Sequence, residues 1–144
     1  MKLEINKFFL LFFSFFLLSC ESSDNPPLMV TDITITQPLP GKSISAGYVT
    51  FINNTNLLIE LTQVISPDFE SIEIHESILD EGIAKMQRVN SLQIEANSKL
   101  KLDHGGKHLM LKNKKNKNRV ISLHFYSKEK LLLSLKTQLT SRSK

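Results

Sequence analysis

Short runs in which apolar and polar residues alternate recur through most of this chain. In residues 30–36, for example, Ile33 and Ile35 alternate with polar side chains, as in a half-buried strand. No stretch shows the capped apolar period of about 3.6 residues that predicts a helix. Many short strands separated by turn residues predict an all-β sandwich or barrel. The predicted strands are residues 30–36, 46–52, 57–66, 71–77, 83–89, 91–96, 99–103, a strand ending at 110–111, 120–126 and 130–137.

A turn-like segment, residues 79–82, separates two of these strands in the middle of the chain. With these four residues as a hairpin loop, His75 lies directly opposite Met86. Facing side chains in an antiparallel pair lie roughly 5 Å apart at Cβ, so an imidazole and a thioether would reach one ion. Two opposite-charge pairs favour this register, namely Glu73 with Arg88 and Glu76 with Lys85.

A second imidazole–thioether pair follows the glycine turn at Gly105 and Gly106. His108 and Met110 are two residues apart, so on a strand they point to the same face. Together with the first pair they make a candidate set of two nitrogen and two sulfur ligands. A single methionine on a strand is more often core filler, and a single histidine is more often a surface residue, so only the combination carries weight.

The start of the chain has the composition of an export signal. A short charged start precedes the apolar run 8–18, which is too short to span a bilayer. The run ends in Leu-Leu-Ser-Cys20, which resembles a bacterial lipobox, so we expect Cys20 to carry the lipid anchor; the alternative is an ordinary secretory signal. Glu21 follows the cysteine, which by resemblance to Gram-negative sorting rules favours the outer membrane. The predicted divisions are a lipoprotein signal peptide at 1–19, a lipidated cysteine and flexible tether at 20–28, the β-sandwich domain at 29–139 and a polar tail at 140–144.

Charge and cysteine content narrow the function classes. Cys20 is the only cysteine, so no disulfide can form within one chain and the folded domain has no thiol. The net charge is +4, and the excess is concentrated in residues 112–119, a lysine–asparagine run that we expect to be a solvated hairpin loop. No aromatic residues interleave with these lysines to stack bases, so a nucleic acid partner is not expected.

The spacing of the four candidate ligands matches a known signature. Ten residues separate His75 from Met86, twenty-one separate Met86 from His108, and Met110 closes a His-x-Met motif. This pattern resembles the periplasmic copper chaperone family PCu(A)C, and so do the flanking sequences 73–76, 80–82 and 105–110. The resemblance implies a single domain with a cupredoxin-like Greek-key β-sandwich, a Cu(I) site made by these four side chains, and delivery of copper to enzymes such as cytochrome oxidase. The His/Met-rich tail that many members carry is missing from residues 140–144.

The donor chemistry leads to the same ion. Thioether sulfur is soft and selects Cu(I), whereas carboxylate-rich sites suit harder ions. Neutral ligands leave the charge of Cu(I) uncancelled, so we expect a site near the surface that permits handover. Blue-copper electron transfer needs a cysteine thiolate, which the domain lacks.

The leading hypothesis is therefore a monomeric, membrane-anchored Cu(I) carrier of the cell envelope that supplies an apo copper enzyme or an oxidase assembly factor. The alternatives are a structural or interaction β-sandwich lipoprotein, or a protein that sequesters copper for detoxification. An enzyme is not expected, because no nucleophile–base pair or open metal position is visible. His104 is a further candidate as a peripheral copper ligand.

Overall fold

The computed structural model describes residues 25–141, and in this part of the chain all regular structure is β. Cys20 and the predicted signal peptide lie outside the described residues, as does the end of the predicted tail. The strands are β1 (Leu28–Thr36), β2 (Ile44–Asn53), β3 (Ile59–Leu61), β4 (Gln63–Ile65), β5 (Phe69–Asp80), β6 (Ile83–Val89), β7 (Leu92–Ile94), β8 (Lys99–Leu102), β9 (Lys107–Lys114), β10 (Val120–Ser127) and β11 (Lys130–Thr140). The all-β prediction is confirmed, and within residues 25–141 no helix is long and apolar enough to cross a membrane.

The strands pair in the order β4-β10-β11-β1-β2-β9-β5-β6, with β8 also on β2, and a ribbon of β3 and β7 completes the fold. The first strand closes on the last in parallel, with Ile35 beside Leu139. Strands distant in sequence are thus neighbours in space, as expected of a Greek-key arrangement. For the site, the important neighbours are β2, β9, β5 and β6, which lie side by side.

Packing against the apolar core determines which face of β9 is available for a functional site. Leu109 and Leu111 are fully buried in the apolar core, where Phe51 and Phe125 also meet edge to face with ring centroids 5.3 Å apart. Because successive side chains on a strand alternate between faces, residues 108 and 110 point away from that core. Gly47 pairs with Leu109, and a Cβ there would lie 2.7 Å from Cδ1 of Ile35 and 3.0 Å from Cβ of Leu109, so a larger residue would force these core neighbours to shift.

The central hairpin has a different register from the one predicted. Asp80 pairs with Ile83, so the loop is only Glu81 and Gly82, both with positive φ. Such a two-residue turn has the twist that matches a β-ribbon, and it shifts the pairing by two residues. The predicted opposition of His75 and Met86 was therefore wrong, but a shift of two keeps every side chain on its predicted face. The predicted ion pairs are also replaced, and those formed are Glu73 with Lys112, Glu76 with Lys107 and Asp80 with Lys85.

Two further predictions differ from the structure. The predicted strand 57–66 is broken into β3 and β4, which pair with different partners. The lysine–asparagine run begins inside β9 and then crosses to β10, which is not paired with β9, so it is a crossover and not a hairpin loop. The first strand begins at Leu28 and the last strand ends at Thr140.

Candidate metal centre

The candidate ligands share one outward face of the sheet, although they come from three strands. His75 on β5 pairs with His108 on β9, and Glu73 pairs with Met110 in the same ladder. On the other side of β5, Met86 of β6 pairs with Ser77, two residues from His75 and on the same face. The structure thus brings all four sequence-predicted residues onto neighbouring positions, with Met86 diagonal to His75 and not opposite it.

A surface cavity of about 300 Å³ opens on this face, and three of the four candidates line it. Met86 is 54% exposed at its edge, Met110 is half-buried, and His108 is only 8% exposed. The full lining is Ile44, Ser45, Ala46, Tyr48, Ser77, Met86, Gly105, His108, Leu109 and Met110. The methionine side of this face is therefore near the surface, while the imidazole of His108 is sheltered.

His75 is not in the cavity lining, but its ring stands beside it. The centroids of the His75 and His108 rings are 6.2 Å apart. Nε2 of His75 lies 2.8 Å from Oε2 of Glu73, and Nδ1 is buried without a hydrogen-bond partner. A buried polar atom without a partner is rare in a folded protein and calls for a functional explanation.

Glu73 determines which nitrogen of His75 carries the proton. A hydrogen bond from the Lys112 ammonium, 2.7 Å away, and then one from His75 lower the pKa of the Glu73 carboxyl to about 2. The carboxylate is therefore ionised at neutral pH and can only accept, so Nε2 of His75 must be the donor. In the neutral imidazole this leaves the lone pair on Nδ1, the buried atom without a partner.

The second imidazole is fixed by the backbone. Nδ1 of His108 lies 3.0 Å from the carbonyl oxygen of Gly106. A carbonyl only accepts, so Nδ1 donates and the neutral ring keeps its lone pair on Nε2. Each histidine is thus held at one nitrogen by an acceptor, which is the usual support for a metal-binding imidazole.

Sequence reasoning missed the residues that support the histidines. Glu73 and Lys112 were assigned to a cross-strand ion pair and to a loop, respectively, yet each lies two residues from a candidate ligand on the same face. That spacing is the signal that could have found them. His104, the candidate peripheral ligand, stacks on Tyr48 at the cavity, with ring centroids 3.8 Å apart and planes tilted by 36°.

A site on this face has a specific donor set. Among residues 25–141, no group of three or more histidine, cysteine or acidic side chains is arranged to hold a metal. The donors on this face are two imidazole lone pairs and two thioether sulfurs, which suit a soft ion. The unpartnered Nδ1 of His75 is the atom that a metal would satisfy.

A family model and a curated relative match the chain. The family is described as "Putative lipoprotein LpqE-like", and the match spans residues 28–123, more than half of the chain. Uncharacterized protein RP573 of Rickettsia prowazekii (strain Madrid E) is 37% identical over 70 residues, which is 48% of this chain. The aligned part is 39% of that relative's length.

Solved structures match over most of the chain. The copper-bound PCuAC domain from PmoF2 aligns with a TM-score of 0.65 and 16% identity, over 81% of this chain and 94% of that one. The apo PCuAC domain from PmoF1 gives 0.66 and 16%, over 83% and 98%. The apo-DR1885 protein from Deinococcus radiodurans gives 0.60 and 22%, over 83% of both chains. The cupredoxin-like β-sandwich prediction is confirmed, and the chain belongs to the LpqE-like family, with the fold of PCu(A)C proteins.

Proposed function

We propose that this protein is a copper(I)-binding chaperone of the cell envelope. In this proposal His75, Met86, His108 and Met110 hold one Cu(I) ion as cargo. The observation that carries it is the pair of imidazoles, each fixed at one nitrogen by an acceptor and each left with one lone pair, beside two thioethers. The fold it shares with a copper-bound PCuAC domain supports copper as the metal.

The ligand set favours a monovalent soft ion over divalent ions. Imidazole and thioether are neutral, and thioether sulfur is a weak ligand for Zn(II) and Cu(II) but a good one for Cu(I). The sulfur of Met86 belongs to a side chain that is 54% exposed, so a recipient could replace it first. That exposure favours delivery to an apo copper enzyme or an oxidase assembly factor over permanent sequestration.

Anaerobic titration with Cu(I), followed by X-ray absorption spectroscopy, tests the proposal. We expect one Cu(I) per chain with nitrogen and sulfur ligands in equal numbers, and Cu(I) binding that is tighter than Zn(II) binding in competition with a chelator. Tighter binding of Zn(II), or a first shell without sulfur, would contradict the assignment. Transfer of the bound ion to an apo copper protein then distinguishes delivery from storage.

The membrane anchor is a separate part of the proposal. Cys20 in its lipobox-like context and the lipoprotein description of the family support an envelope lipoprotein, and Glu21 supports the outer membrane. Cys20→Ala should remove the modified residue, so that the protein is left unprocessed or released from the membrane fraction. Fractionation and mass spectrometry of the mature amino terminus measure this. Unchanged processing and partitioning in the variant would show that Cys20 is not the anchor, without affecting the copper site.

A further inference from the structure

Glu73 is a carboxylate placed among the proposed copper ligands. It pairs with Met110 across the β5–β9 ladder and lies two residues from His75 on the same face. A carboxylate is a hard, charged donor that suits divalent ions, and with His75 and His108 it would complete a two-histidine, one-carboxylate set. Yet no such group is arranged to hold a metal among the described residues.

Lys112 forms an ion pair with the Glu73 carboxylate. Its Nζ lies 2.7 Å from Oε2 of Glu73, and the same oxygen accepts from Nε2 of His75 at 2.8 Å. The ion pair between Lys112 and Glu73 is partly sheltered from solvent, since the two side chains are 32% and 20% exposed, respectively. Charge-assisted bonds of this length are among the stronger hydrogen bonds in proteins. They balance the charge of Glu73 and fix its position.

We propose that Lys112 is a specificity-determining residue, which holds the Glu73 carboxylate out of the metal site and so favours Cu(I) over divalent ions such as Zn(II). This inference deepens the proposed function, because it concerns the selectivity of the same site. Without Lys112 the negative charge of the Glu73 carboxylate is no longer balanced, and the carboxylate can turn towards the ion. A divalent ion interacts with that charge twice as strongly as a monovalent one at the same distance.

Lys112→Ala tests this directly in the purified chain, with Zn(II) and Co(II) alone as probes. We expect Zn(II) binding to tighten by about tenfold, because the uncompensated carboxylate becomes available to the ion. Cu(I) binding should change by less than about threefold, because Glu73 still accepts the hydrogen bond from His75. The visible spectrum of bound Co(II) should also change, since an oxygen ligand enters its shell. Lys112→Arg keeps the cation and the hydrogen bond, so it should retain wild-type selectivity.

Two control variants distinguish the effect of the position of Lys112 from the effect of lowering the net charge of the chain. Lys107→Ala also removes one lysine from β9, but Lys107 is on the opposite face, pairs with Glu76 at 3.5 Å and is similarly exposed at 37%. It should leave Zn(II) affinity unchanged. Adding Glu73→Gln to Lys112→Ala should abolish the gain, because the amide carries no charge.

Unchanged Zn(II) affinity in Lys112→Ala overturns the inference, and so does an equal gain in Lys107→Ala. Melting temperatures of the apo variants confirm that each is folded before titration. If the wild-type chain fails to bind Cu(I), the proposed function is wrong, whereas the Zn(II) comparison among the variants still tests the role of Lys112.

Discussion

Met86→Leu and Met110→Leu should each weaken Cu(I) binding by about a hundredfold or more, since even loss of a residue that only supports a ligand costs 10–100-fold. Leucine keeps the apolar volume and removes the sulfur, so the change isolates coordination from packing. The apo protein should lose little stability, by about 0.5 kcal/mol or less for the exposed Met86 and somewhat more for the half-buried Met110. Chelator competition and chemical denaturation measure the two quantities.

Leu79→Ala is the matched control for the hairpin, because Leu79 is 77% exposed on the same face as Met86 and has no donor atom. It should change neither Cu(I) affinity nor stability. A Met86→Leu variant that binds Cu(I) as tightly as the wild type would remove Met86 from the site. A large loss of apo stability in Met110→Leu would instead show that Met110 is packed as core.

The face of each candidate ligand was predictable, but its exact neighbour was not. Strand alternation alone places His75 and Met86 on one face in either register, because the two registers differ by an even number of residues. The choice between them depends on the turn, and Leu79 and Asp80 have residue types that suit either a loop or a strand end. Each exposed charge pair stabilises its register by only about 0.2–1 kcal/mol, which is too little to outweigh a favourable two-residue turn.

The pairing of β5 with β9 could not be predicted from local sequence patterns. These strands are separated in sequence by β6, β7 and β8, and no periodic signal states which strands become neighbours. The sequence analysis predicted strands in both regions, so the fold class followed, but the ion pair between Glu73 and Lys112 depends on that pairing. The support of His75 by Glu73 therefore appears only in three dimensions.

Cu(I) should slow amide hydrogen exchange most strongly at the outer part of the β5–β6 hairpin. The His-x-Met strand is joined to the hairpin by a backbone ladder, because β5 and β9 are paired from Phe69 to Glu76. Beyond that point the amide of Ser77 still donates to the carbonyl oxygen of Gly106, at 3.2 Å. Further along β5, within residues 25–141, the paired strand is β6 alone. The end of the hairpin is thus the least supported element near the site.

Met86 is the one proposed ligand on β6, the last strand of the sheet order. Bound copper would tie this strand to His108 and Met110 on β9, so opening of the hairpin would have to break a metal–sulfur bond. Binding stabilises the closed form by about 4 kcal/mol when free Cu(I) is a thousandfold above its dissociation constant. Exchange through openings that release the ion should then slow by up to about a thousandfold.

Exchange measured by mass spectrometry with and without Cu(I) compares this hairpin with that of β10 and β11. The second hairpin also turns through two residues, between Ser127 and Lys130, but carries none of the proposed ligands. Copper should protect residues 77–87 strongly and leave amides at the second turn unchanged, because their local opening does not disturb the ion. In Met86→Leu the protection of residues 77–87 should vanish even at saturating Cu(I). Equal protection of both turns, or none in β6, would show that copper does not bridge β6 to β9.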